Sequence, residues 1–150
     1  MGKIEALIAR MAGQKVYIDT NIFIFFLKNE STYFPIVAPL IEACAEQQFF
    51  GVTGELVLAE VMVHPYRSRD ANIINAHKDF FAQKNFLTIA QHESRFFDES
   101  SQLAGQLSMK LIDAIHYRTA LQAGCQFFLT HDAGIPSSEA MQVVNIKECL

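Results

Sequence analysis

Four carboxylates fall in some of the most apolar neighbourhoods of the chain. Asp19 ends the run Val16-Tyr17-Ile18, and Glu60 interrupts Leu56-Val57-Leu58-Ala59 and Val61-Met62-Val63. Asp113 lies between Leu111-Ile112 and Ala114-Ile115, and Asp132 comes three residues after Phe127-Phe128-Leu129. A carboxylate in such surroundings is costly unless it is paired, hydrogen-bonded or bound to a metal. No Lys or Arg lies inside the strand-end stretches that carry these acids. Converging carboxylate oxygens without a basic partner call for a hard divalent cation, Mg²⁺ or Mn²⁺. Taken singly, each acid is as readily a helix cap or a surface residue, and Asp132 also fits an Asx-type turn. The coincidence of four favours a shared site.

Polar neighbours extend the pattern. Thr20 and Asn21 follow Asp19, and Thr130 precedes Asp132 by two. Their hydroxyls and amide suit the orientation of a carboxylate or a metal-bound water, with ordinary N-capping as the alternative for the first pair. His116 follows Asp113 by one helical neighbour, within reach of the acid or of a phosphate. A surface or packing histidine is the commoner expectation there, and the same holds for His131.

The elements that must position these residues alternate between strand and helix. Lys15 to Ile18 has a β-rich core ending at Asp19, with Thr20-Asn21 placed to cap the next element. Ile22 to Lys28 reads as a helix, although its aromatic and β-branched content leaves a strand open. Tyr33 to Gln48 is a second helix with Pro35 in its first turn. Phe49 to Val52 is a short strand, and Thr53 opens an apolar helix through Val63 that Pro65 helps to stop. Further helices are expected over 72–83, 92–107 and 111–123, the last capped by Gly124. Strands are expected over 86–89, 126–129 and, more weakly, at Val143-Val144. This alternation implies parallel crossovers and an α/β sheet covered on both faces. Ligands in such sheets sit beyond the carboxyl ends of the strands, at a topological switch point. Asp19 and Asp132 both fall at or just after strand ends. Asp113 falls in the first turn of its helix, where the dipole favours an anion.

Composition bounds the class. The chain has 150 residues, 51% hydrophobic and 19% charged, with a mean hydropathy of +0.16, which excludes global disorder. No linker, low-complexity tract or repeat appears, so one domain is expected over 1–150, with residues 1–14 as an N-terminal extension. The longest strongly apolar run, Ile22 to Leu27, is far short of the ~20 residues that span a bilayer, and the first fifteen residues do not read as a secretory signal. Cys44, Cys125 and Cys149 are odd in number and form no CxxC pair. That suits reduced thiols in a cytoplasmic protein and offers no zinc or disulfide framework. A net charge of −4 excludes a sequence-independent polybasic binder, and clustered acids around a cation would account for part of it.

Val16-Tyr17-Ile18-Asp19-Thr20-Asn21, Glu60 in an apolar helix, Asp113-Ala114 before a helix ending at Gly124, and Leu129-Thr130-His131-Asp132 resemble the successive motifs of PIN-domain ribonucleases. Order and spacing match from about Lys15 to Val144. The resemblance implies a three-layer α/β/α sandwich with a central parallel sheet of about five strands. It implies Mg²⁺- or Mn²⁺-dependent RNA cleavage at Asp19, Glu60, Asp113 and Asp132, leaving 5′-phosphate and 3′-hydroxyl ends. Many such domains are VapC-type toxins held by a small antitoxin. Two features depart from the pattern. A further acid often stands three residues after the last one, where this chain has Ile135, and typical toxins begin almost directly in their first strand.

On this reading the cationic segment His64-Pro65-Tyr66-Arg67-Ser68-Arg69, followed by His77 and Lys78, rims the site. Arg67, Arg69 and His116 would contact RNA phosphates and Tyr66 would stack on a base; a solvated connecting loop is the equal alternative. Exposed phenylalanines among Phe23, Phe25 and Phe26, or Phe96-Phe97, would serve a homodimer or an antitoxin groove. Two other classes compete. One is a catalytically weak RNA-binding or scaffold module. The other is a Mg²⁺-dependent phosphatase-like domain, which normally needs paired acids near its first strand and a lysine after a later one. Here Asp19 is followed by Thr-Asn-Ile, and Phe127 to Thr130 has no lysine after it.

Overall fold

Short runs rich in β-branched and aromatic residues form five parallel strands, joined by helices. The computed structural model describes residues 2–150. In chain order the elements are α1 (Lys3–Met11), β1 (Lys15–Ile18), α2 (Thr20–Leu27), α3 (Phe34–Ala45), β2 (Phe50–Gly54), α4 (Glu55–Ser68), α5 (Ala71–Phe81), β3 (Leu87–Ala90), α6 (Phe96–Leu107), α7 (Leu111–Gln122), β4 (Phe127–Thr130) and β5 (Gln142–Asn145). A 3-10 turn, Ile146–Cys149, follows β5.

The sheet order is β3-β2-β1-β4-β5. Val16, Tyr17 and Ile18 of the central β1 are completely or almost completely buried, as a parallel strand covered on both faces requires. From β1 the chain steps outward through β2 to β3, then returns to the other side of β1 at β4. Right-handed crossovers therefore place α2 to α5 on one face and α6 with α7 on the other. The packing agrees: α2 contacts α3 and α4, α4 contacts α5, and α6 lies against α7, which also covers β2. The expected three-layer α/β/α sandwich is present. Its switch point lies between β1 and β4, whose registers pair Ile18 with Leu129.

Close approach of a helix to the sheet dictates one residue outright. A Cβ at Gly51 would lie 2.4 Å from Cys44 Sγ and 2.8 Å from Leu87 Cδ2, so α3 and β3 leave room only for hydrogen.

Three local readings change. Residues ahead of β1 are more than an appendage: α1 buries Leu7 and Met11 in the common core, packs Ile4 and Ile8 against it, and lies on α3. Pro65 does not stop its helix. α4 continues to Ser68, whose Oγ donates to the Pro65 carbonyl at 2.6 Å, and Arg69 ends it in the left-handed conformation. Asp19, rather than Thr20 or Asn21, is the residue that caps α2. Among the described residues, no helix is long and apolar enough to cross a membrane.

Candidate active site at the switch point

The site grows from the side-by-side ends of β1 and β4. Asp19 leaves β1 in an extended conformation and caps α2, its Oδ1 accepting from the Thr20 backbone N–H at 2.8 Å. Its Oδ2 accepts from Thr130 Oγ1 at 2.7 Å. Thr130 is completely buried, and the same hydroxyl accepts from the Asp132 backbone N–H at 2.9 Å. One hydroxyl thus fixes an acid from each strand end. Asp132 Oδ1 then accepts from Gly134 N at 2.9 Å, which turns the loop back over α7. Gly134 sits between two acids there: a Cβ on it would be 3.4 Å from Asp132 Oδ1 and 3.5 Å from Asp113 Oδ2.

Glu60 comes from α4, on the opposite helical layer. Its Oε1 accepts from Thr20 Oγ1 at 2.7 Å and from His116 Nε2 at 2.8 Å. His116, on α7, is 2% exposed. Its Nδ1 lies 2.8 Å from the Tyr17 hydroxyl, and its Nε2 is 3.8 Å from Asp19 Oδ1.

Burial and like charge dominate the electrostatics. Burial pushes the Asp19 carboxyl up, and the His116 charge and the Thr130 and Thr20 hydrogen bonds only partly offset it. Asp113 is also raised, first by burial and then by the charge and hydrogen bond of Asp132. Burial alone would raise Glu60 too, but the bonds from His116 and Thr20 bring it below its ordinary value. For His116 the contest runs the other way. Burial favours the neutral ring, and the bond to Glu60 with the charges of Asp19, Glu60 and Asp113 outweighs it, so the ring is raised. Tyr17 is held well above a normal phenol by burial and by the charges of Asp19 and Glu60, and keeps its proton. Among the described residues no Lys or Arg forms an ion pair with any of the four acids.

The donor set fits a hard divalent cation. It is all carboxylate, two of its members are disfavoured as anions, and apart from His116 beside Glu60 and Asp19 no basic side chain pairs with them. Asp19, Glu60, Asp113 and Asp132 are the residues that would hold it. As arranged, no three acid, His or Cys groups among the described residues already surround one point: Glu60 Oε1 is turned to His116, and Asp113 is paired with Asp132.

The other expected residues divide. Thr20 and Thr130 bond directly to Glu60 and Asp19. Asn21 instead accepts from the His131 backbone N–H at 3.1 Å, steadying the loop after β4. His116 is a correction. It is buried rather than on the surface, its ring lies against Tyr17, and with its nitrogens on Tyr17 and Glu60 it presents neither to a phosphate. Tyr66 and Arg67 lie in the last turn of α4 and Arg69 caps it, so that segment is helix rather than loop. All three are exposed, and the Tyr66 ring takes Lys78 Nζ at 5.5 Å from its centroid. Lys28, His64 and His77, not the arginines, line a small cleft beside Glu60. His131 packs edge-on against Phe25 and Tyr33, and Ile135, where a fifth acid often stands, is buried. Tyr17, whose hydroxyl meets His116, is the residue at the site that sequence reasoning missed. Its only signal is a hydroxyl on a central, fully buried strand, which needs a partner.

A parallel 3-2-1-4-5 sheet with Asp19 and Asp132 joined through Thr130 at the β1/β4 switch point defines an α/β domain with acids at its carboxyl edge. A PIN domain family model matches residues 16–137, and the chain belongs to the PIN domain family. No curated protein sequence matches it significantly. Similar solved structures include VapBC2 from Rickettsia felis bound to a DNA fragment from its promoter, at 15% identity and a TM-score of 0.65, covering 87% of this chain and 98% of that one. A toxin–antitoxin complex from Klebsiella pneumoniae shares 18% identity at a TM-score of 0.65, covering 87% and 97%. The sarcin–ricin loop cleaving toxin VapC20 from Mycobacterium tuberculosis shares 11% at 0.61, covering 75% and 86%. At these identities the likeness is one of fold.

Proposed function

We propose that this chain is a divalent-metal-dependent endoribonuclease whose Asp19, Glu60, Asp113 and Asp132 hold Mg²⁺ or Mn²⁺. The observation that carries the reading is that four acids, from the end of β1, α4, α7 and the β4 loop, feel one another's charge at the carboxyl edge of the sheet with no Lys or Arg ion-paired to them. When bound, such an ion supplies Lewis-acid activation of a phosphate oxygen and a lower pKa for an attacking water. The protein's own part is positional. Thr130 and the Thr20 N–H lock Asp19, the Gly134 N–H holds Asp132 Oδ1, and Lys28, His64 and His77 offer a rim for the RNA backbone. The family and the RNA-cleaving neighbour support RNA as substrate.

The toxin–antitoxin neighbours support a small antitoxin as partner, and a groove lined by Phe26, Ile41, Phe80 and Phe86 has the apolar character that a docking helix needs. Phe23 and Phe96 are buried, so a homodimer would rest on exposed Phe97, Leu107, Leu111 and Ile112.

The test is cleavage of a mixed RNA panel with Mn²⁺, with Mg²⁺ and with EDTA. Glu60→Gln and Asp113→Asn, folded by melting, should lose roughly 10²-fold or more, because a metal contributes several kcal/mol to the transition state. Undiminished, EDTA-resistant cleavage by the folded variants refutes the reading.

A further inference from the structure

A hydrogen-bonded chain crosses the carboxyl edge of the sheet from one helical layer to the other. It begins at Tyr17, which is fully buried on β1 and stacked on Phe128 of β4 with centroids 4.9 Å apart. It passes through His116 on α7 and ends at Glu60 on α4, each step 2.8 Å. Donor and acceptor roles follow from the ends. A carboxylate only accepts, so Nε2 of His116 must carry a hydrogen toward Glu60. Tyr17 retains its hydroxyl proton, and in the neutral ring it donates to Nδ1. The imidazole is therefore held in one orientation by a strand that belongs to the core.

Glu60 needs such a hold. Its side chain is about one-third exposed and has three rotatable bonds, so unaided it would spread over several rotamers. Thr20 and His116 both bind Oε1, and Oε2 has no protein partner among the described residues. We infer that His116 is a positioning residue, through which Tyr17 aims the free oxygen of Glu60 at the metal position. The inference rests on the metal-dependent reading above. It adds to that reading two residues that touch neither RNA nor metal.

The measurement is Mn²⁺ affinity by titration calorimetry on EDTA-stripped protein, made for wild type, His116→Ala, Glu60→Gln and the double variant. Partners that orient a ligand are typically worth 10- to 100-fold in metal affinity, so His116→Ala should weaken Mn²⁺ by about that factor. In the Glu60→Gln background the same substitution should change affinity by less than about twofold, since His116 would have nothing left to aim. A merely structural histidine would lower the melting temperature and leave the Mn²⁺ dissociation constant unchanged, or lower affinity equally in both backgrounds. Either result overturns the inference while leaving the metal site standing. Tyr17→Phe guards against a His116→Ala protein that fails to fold. It keeps the ring and should weaken Mn²⁺ several-fold, about one hydrogen bond; wild-type affinity in Tyr17→Phe would remove Tyr17 from the chain of action. Wild-type protein that binds no Mn²⁺ overturns the metal reading and this inference together.

Discussion

Replacing Thr130 by Val tests whether one buried hydroxyl holds the two strand ends together. Valine keeps the shape and volume of threonine, so packing changes little. What disappears is the donor to Asp19 Oδ2 at 2.7 Å and the acceptor for the Asp132 N–H at 2.9 Å. A hydrogen bond to a charged group contributes about 1.5–3 kcal/mol and a neutral one about 1 kcal/mol, so the loss should be about 3 kcal/mol at neutral pH. That lies inside the ~5–15 kcal/mol of a typical domain, and the variant should still fold. In urea unfolding of metal-free protein, with a slope of ~1–3 kcal/mol/M, the midpoint should fall by about 1–3 M. Thr130→Ser is the counterpart. It keeps the hydroxyl, loses a methyl, and should cost about 1 kcal/mol. The pH dependence has a definite sign. The Thr130 bond lowers an Asp19 pKa that burial has raised, so the penalty should be largest where Asp19 is ionised and shrink as pH falls through its folded value. Valine equal to wild type, or better tolerated than serine, would show that the hydroxyl bridge does not hold the site.

Asp113→Asn bears on the repulsion between acids. Because burial and then Asp132 raise the Asp113 pKa in the fold, its contribution to stability is fully present below the unfolded value of ~3.9 and is lost as pH rises through the folded one. The asparagine variant should melt above metal-free wild type at neutral pH, by less than about 1 kcal/mol given its partial exposure; a lower melting temperature contradicts this. Met11→Ala should cost about 2–4 kcal/mol in urea unfolding, whereas a dispensable N-terminal segment would cost nothing. Burial pushes the Cys44 thiol up to about 11 and Cys125 to about 12, so mass spectrometry after mild alkylation near pH 8 should find Cys149 labelled first, and the other two only after denaturation.

The strands were legible because each is a short β-branched or aromatic run closed by a turn, and parallel burial leaves little else for such runs to do. α1 was obscured by the charges of Lys3, Glu5 and Arg10, although Ile4, Leu7, Ile8 and Met11 keep the helical spacing of one buried face. Pro65 misled because a helix can lose one N–H when the turn beyond it is held by other bonds. At the site, the carboxylates announced themselves by being out of place in apolar runs. His116 offered only its spacing from Asp113, since its actual partners, Tyr17 and Glu60, lie 99 and 56 residues away in sequence. Only the sheet order brings those three together.

The switch point also sets when the site can exist. Asp19 and Thr130 are 111 residues apart in sequence, and the pairing of β1 with β4 closes that distance. During synthesis the chain emerges from its N-terminus, and β1, β2 and β3 with their helices can assemble before β4 is available. At that stage Asp19 and Glu60 have been made, but His116, which holds Glu60, and Thr130, which holds Asp19, have not yet taken their positions. A ribosome-bound fragment ending short of β4 thus carries three of the four acids, Asp19, Glu60 and Asp113, and whatever the four carboxylates do together begins only after the nascent polypeptide has delivered its penultimate strand.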